Sequence, residues 1–102
     1  MKNNFMLNKE MIFKDTIKIE NKKIGKNYPC LVIAEAGISH FGDIKIARDL
    51  VDMAVDSGAD VFKTQIFDVD NLISKNANDW KERLRPRNLN FDQIQEIKER
   101  CK

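Results

Sequence analysis

The chain has 102 residues, 33% of them charged, with 18 basic and 16 acidic groups and a formal net charge of +2. That length allows one small domain with a modest core and is too short for a complete eight-stranded α/β barrel, which needs roughly 250 residues. No Lys/Arg block and no apolar run near the roughly 20 residues of a membrane span is present, which argues against nucleic-acid binding and membrane insertion and for a cytoplasmic protein. Residues 1–15 are rich in Met, Asn and Lys and read as an amino-terminal extension. Asn8, Lys9 and Glu10 interrupt what would be a signal-peptide core. Ile17-Lys18-Ile19 and Lys23-Ile24 flank a polar turn, the pattern of a β-hairpin with Ile17, Ile19 and Ile24 on its apolar side.

The stretch Leu31–Gly37 predicts a strand with Leu31, Ile33 and Glu35 on one face and Val32, Ala34 and Ala36 on the other. Both faces are apolar up to Glu35, as in a parallel strand covered on both sides. Ile38–Gly42 is a loop, and Asp43 is placed to cap a helix whose stripe is Ala47, Leu50, Val51, Ala54 and Val55. Gly58 fits the position that ends it. A second strand, 59–65, sets Val61, Lys63 and Gln65 on one face, and the default topology is a right-handed βαβ crossover. Residues 68–90 read as polar and irregular, with Trp80, Arg83, Arg85 and Arg87. Asn90 and Gln93 match a capping box that opens a last helix with the stripe Phe91, Ile94, Ile97 and Cys101.

Chemistry concentrates where the two strands end. Glu35 follows Leu31 and Ile33 on an apolar face, where a carboxylate needs a partner, a ligand or water. It could take a proton or bind a hydroxyl; equally, it could cap N–H groups of the next loop. Lys63, in the adjacent strand, needs an anion, which could be Glu35 itself or the phosphate or carboxylate of a ligand. Gln65 supplies neutral donors and acceptors suited to hydroxyl groups. His40 reads as a loop-packing residue, with a share in shaping the site as the lesser alternative, and Arg83–Arg87 as a solvated loop. Cys30 and Cys101, far apart and without a CxxC pair, read as buried free thiols; with one histidine, no metal site is expected within the chain.

The residues Pro29-Cys30-Leu31-Val32-Ile33-Ala34-Glu35-Ala36-Gly37-Ile38-Ser39-His40-Phe41-Gly42-Asp43 resemble the first βα segment of the sialic acid synthase (N-acetylneuraminate synthase) family, and Ser57-Gly58-Ala59-Asp60-Val61-Phe62-Lys63-Thr64-Gln65 resemble its second strand. The resemblance implies an α/β fold, the amino-terminal fragment of a (β/α)8 TIM barrel preceded by a β-hairpin. The extension would be residues 1–15 and the partial barrel domain 16–102. It implies condensation of phosphoenolpyruvate with an N-acylated amino sugar such as N-acetylmannosamine, aided by a divalent metal, manganese or magnesium. It implies further that Glu35 is the catalytic carboxylate near the reacting sugar, that Lys63 contacts phosphoenolpyruvate and that Gln65 lies on the substrate side. The metal-binding histidines and most phosphate contacts would lie on strands beyond residue 102, and the full-length protein would be a homodimer. By that reading the 102 residues alone are catalytically incompetent. Ser39 and Phe41 stand where many members carry Asn and a polar residue, a departure that bears on which sugar is used. Two other readings remain at this point: a noncatalytic remnant or interaction module, and a barrel aldolase in which Lys63 forms a Schiff base.

Overall fold

The structure, a computed structural model, describes residues 13–102. Most of the expected extension, residues 1–12, lies outside the described residues; Phe13–Asp15 lead into the first strand without helix or strand of their own. The chain divides between Leu31 and Val32 into two compact units. In the first, β1 (Thr16–Ile19) pairs antiparallel with β2 (Lys22–Gly25). Ile17 stands opposite Ile24 and Ile19 opposite Lys22, so Glu20 and Asn21 make a two-residue turn. Glu20 supplies the positive φ, 49°, that such turns use to match the twist of the strands.

In the second unit, β3 (Ile33–Gly37), α1 (Ile44–Asp56) and β4 (Val61–Thr64) form a βαβ unit with β3 and β4 parallel. The register is anchored at the amino ends. Asp60 and Val61 donate their N–H groups to the Val32 carbonyl, and Val32 N–H donates to the Asp60 carboxylate at 2.9 Å. Ile33 pairs with Val61 and Glu35 with Lys63; pairing then passes to Gly37 and Thr64, leaving Ala36 as the extra residue of a bulge.

Helix α1 forms where the sequence supplies both ends. The Asp43 carboxylate accepts from Lys45 N–H at 2.7 Å and Ile46 N–H at 3.4 Å. At the other end Gly58, at φ 77°, donates to the Val55 carbonyl and Ala59 to the Ala54 carbonyl, the paired bonds of a Schellman cap. Replacing Asp43 with Ala leaves the first-turn amides without a partner and is expected to cost about 1 kcal/mol, read as a lower urea midpoint at unchanged slope.

Residues 68–90, expected to be irregular, instead contain α2 (Val69–Leu72), α3 (Asn78–Leu84) and a 3-10 turn at Arg85–Arg87. These pieces are too short to show a helical period and are organised by contacts. The Arg85 guanidinium donates to both oxygens of Asp70, at 3.1 and 3.3 Å, and Lys81 lies 3.7 Å from the same carboxylate. The side chain of Asn88 bonds both the carbonyl and the N–H of Phe67, closing the loop back onto the end of β4.

The capping box is present at the start of α4 (Phe91–Arg100): Asn90 and Gln93 exchange side-chain-to-backbone bonds of 2.9 Å. Leu89, just before the cap, is buried and shares a cluster with the partly buried Ile94, the arrangement of a hydrophobic staple. Ala47 and Val51 of α1, with Leu89 and Ile97, form the core, and Ile44, Phe62 and Ile94 pack against it. Two ion pairs, Arg48–Glu96 and Asp52–Arg100, cross from α1 to α4 one turn apart, so the helices run side by side in the same sense.

Three expectations about burial are corrected. Ile33 is 51% exposed, and Glu35, Lys63 and Gln65 are exposed too, so the described residues cover one face of the β3–β4 sheet rather than both. The covered face is the one with Ala36 and Phe62, which α1 overlies. Cys30 and Cys101 are exposed rather than buried; Cys101 is the residue that caps α4, at the rim of its packed face. Phe91 is 74% exposed, because by the offset of the two ion pairs it lies opposite Asp43, ahead of α1. Among the described residues no helix is long and apolar enough to cross a membrane.

Candidate active site

All three residues singled out from the sequence come together. Parallel pairing sets Glu35 beside Lys63, and Lys63 Nζ lies 2.5 Å from Glu35 Oε2. The other carboxylate oxygen, Oε1, accepts from Gly37 N–H at 2.7 Å. Gly37, at φ 55°, turns the chain out of the strand, and its carbonyl accepts from Gln65 N–H at 3.1 Å and Thr64 Oγ1 at 2.9 Å. A methyl group built on Gly37 would sit 3.7 Å from Glu35 Oε1 and 4.0 Å from Gln65 Oε1, so the two side chains flank the same bare backbone position. A carboxylate, an ammonium and an amide thus share one open sheet face at the carboxyl ends of adjacent parallel strands.

The electrostatics follow from that geometry. The Lys63 ammonium, helped by Gly37 N–H, holds the Glu35 carboxyl below the usual carboxylate range against a smaller opposing effect of desolvation. Glu35 is therefore ionised at neutral pH, an acceptor rather than a proton donor. Both members of the pair are well exposed, so water screens it and it adds little to folding. Of the two sequence readings for Glu35, the geometry contains the capping one: one oxygen accepts from a loop amide, and the other meets the Lys63 ammonium.

His40 packs into its loop, as the sequence suggests, and is 1% exposed. Its Nδ1 accepts from Gly42 N–H at 3.0 Å, which puts the proton of the neutral ring on Nε2, a buried atom without a hydrogen-bond partner among the described residues. Burial pushes its pKa below the ordinary 6.5. The unfolded chain then binds a proton that the folded chain refuses. Stability should be full above about pH 6.5 and decline as pH falls below it, until the folded imidazole also titrates. The melting temperature is expected to drop between about pH 7.5 and 5.5 and to do so less in His40→Gln. The Glu35 contribution falls in a lower window, being lost only as pH drops below the ordinary 4.5 of its carboxyl.

The arginines expected in a solvated loop are engaged: Arg85 with Asp70, Arg83 over the Trp80 ring at 5.8 Å, and Arg87 over the Phe41 ring at 5.1 Å. Sequence reasoning missed the Phe41–Arg87 contact, which joins loops 46 residues apart. A metal centre is not assembled by these residues. Among the described residues no group of three or more His, Cys, Asp or Glu side chains is gathered. Glu35 brings one carboxylate, already shared between Lys63 and Gly37.

Fold and site define a class: an α/β chain that gathers charged and polar side chains at the carboxyl ends of parallel strands, where such proteins bind ligands. The comparisons make this specific. No protein-family model matches the chain. An uncharacterized protein of Methanocaldococcus jannaschii is 36% identical over 85 residues, 83% of this chain. The N,N'-diacetyllegionaminic acid synthase of Legionella pneumophila is 46% identical over 54 residues, 53% of this chain. The crystal structure of N-acetylneuraminic acid synthetase from Leptospira borgpetersenii matches 84% of the chain with a TM-score of 0.79 at 31% identity. The chain spans 25%, 15% and 30% of the lengths of these three proteins. Over the matched span it is a homologue of the sialic acid synthase family.

Proposed function

We propose that Glu35, Lys63 and Gln65 form part of the active site of a nonulosonic acid synthase, which joins phosphoenolpyruvate to an N-acylated amino sugar such as N-acetylmannosamine and releases phosphate. The observation that carries this reading is the Glu35–Lys63 pair, set side by side at the carboxyl ends of β3 and β4 on an open face. Likeness to legionaminic and sialic acid synthases supports it.

In this reading Lys63 gives up its contact with Glu35 to the anionic donor substrate, for which a compact ammonium with three N–H donors is suited. Glu35, kept ionised, accepts a hydrogen bond from a sugar hydroxyl and orients the open-chain aldehyde toward the alkene carbon of the donor. Gln65 fixes a further hydroxyl through its amide. The carbon–carbon bond forms between that alkene carbon and the aldehyde carbon; water adds at C2 and phosphate departs with its bridging oxygen. A divalent metal, manganese or magnesium, is part of the proposal as an aid to the aldehyde. Its ligands would come from outside the described residues, and the protein would act in the cytoplasm as a homodimer within a longer barrel fold. The test is phosphate release by the product of the gene as the cell makes it, with phosphoenolpyruvate, manganese and a panel of amino sugars. Release that requires an N-acylated sugar supports the reading; release independent of sugar, or none with any sugar, refutes it.

A further inference from the structure

The loop after β3 holds a strained aromatic residue that its own backbone does not need. Phe41 sits at φ 53°, a region uncommon for a bulky side chain, and the residue is 58% exposed. The residues around it are fixed independently. Phe41 N–H donates to the Ile38 carbonyl, and Asp43 N–H to the His40 carbonyl. His40 is buried, with its Nδ1 on the Gly42 amide. Gly42 lies so close to the 85–87 turn that a Cβ there would stand 2.0 Å from the Pro86 carbonyl oxygen. A glycine at 41 would follow the same path with less strain. Strain of this kind persists where the surroundings over-determine it, and it collects at ligand sites.

The position of the ring gives the strain a use. Arg87 lies over it at 5.1 Å, and the neighbouring Asn88 is hydrogen-bonded to Phe67, two residues beyond Gln65. Phe41 and Arg87 therefore stand on the loops that leave the carboxyl ends of β3 and β4, the end that carries Glu35, Lys63 and Gln65. An exposed phenylalanine beside a guanidinium suits a planar group that is apolar at one end and accepts hydrogen bonds at the other. An acylamino group has that form, with a methyl for the ring and a carbonyl oxygen for the N–H donors of Arg87.

We infer that Phe41, backed by Arg87, is a specificity-determining residue that packs against the acylamino group of the acceptor sugar. The inference rests on the synthase reading above. Its test is steady-state kinetics of Phe41→Gly in the gene product, with N-acetylmannosamine and with mannosamine, which lacks the acyl group. The expected result is a roughly tenfold rise in KM for N-acetylmannosamine, with kcat and KM for phosphoenolpyruvate unchanged and the preference over mannosamine reduced by the same factor. The melting temperature should not fall, because glycine relieves the positive φ. Phe41→Asn, which also tolerates that φ, should behave alike and stands in if the glycine variant fails to fold. A ring that only clamps the two loops would give the opposite pattern, a lower melting temperature with the sugar preference intact, and that overturns the inference while wild-type turnover preserves the synthase reading. Absence of wild-type turnover with any sugar removes that reading and the inference with it.

Discussion

Lys63→Ala is expected to lower kcat/KM for phosphoenolpyruvate by roughly 10²- to 10³-fold, mostly through KM, with little change in melting temperature. The two halves of that expectation have one cause. The Lys63–Glu35 pair is exposed and screened, so its loss barely touches folding. In the proposed site the same ammonium would gain far more, against an anionic substrate that covers it and excludes water. Glu35→Gln keeps the shape and removes the charge. It should cost roughly 10²- to 10⁴-fold in kcat, with KM for phosphoenolpyruvate less affected. If the pair served folding alone, turnover of both variants would match the wild type and the melting temperature would fall in each. A double-mutant cycle in kcat/KM separates the cases, since groups that serve one reaction step are strongly non-additive.

The second large effect is on stability and comes from two glycines with the same backbone angle. Gly42 and Gly58 both lie at φ 77°, where alanine is disfavoured by about 1–2 kcal/mol. Around Gly58 nothing lies within 4 Å of an added methyl, whereas at Gly42 that methyl meets the Pro86 carbonyl oxygen at 2.0 Å. Gly58→Ala should therefore show the backbone penalty alone, a fall in melting temperature of about 5 °C. Gly42→Ala must also part the β3–α1 loop from the 85–87 turn. About 3–4 kcal/mol in total is expected, a fall of some 15 °C or more, with His40 and Phe41 displaced as well. Differential scanning calorimetry reads both. Equal shifts for the two variants would show that the two loops are not locked together as the structure has them.

What the sequence made legible was local. Asp43 and Gly58 bracket α1, Asn90 and Gln93 open α4, and each device works within a few residues. The shared face of Glu35, Lys63 and Gln65 was legible too, because side-chain alternation fixes which residues of a strand look the same way. The bulge at Ala36 keeps Glu35 in step with Lys63 and shifts Gly37 against Thr64, and no local pattern announces it. The stacking of Phe41 on Arg87 depends on the 85–87 turn, 46 residues along the chain from Phe41 to Arg87, and no local pattern announces the burial of His40. The short helices between Val69 and Leu84 arise from contacts such as Asp70 with Arg85, which follow from folding and leave no periodic trace. Burial of strand faces was misjudged for a related reason: alternation says which residues share a face, and packing decides whether anything covers it.

The most direct measurement follows the fate of phosphoenolpyruvate labelled with ¹³C at C2 and with ¹⁸O in the bridging position, incubated with the gene product, manganese and N-acetylmannosamine. The account predicts a new ¹³C signal for an anomeric carbon bearing a carboxylate. It should grow in step with phosphate that retains the ¹⁸O, and with phosphoenolpyruvate held below its wild-type KM both should be slowed roughly 10²- to 10³-fold in Lys63→Ala. Conversion of the label to pyruvate, phosphate without ¹⁸O, or turnover undiminished in Lys63→Ala would contradict the assignment of this strand-end site to phosphoenolpyruvate condensation.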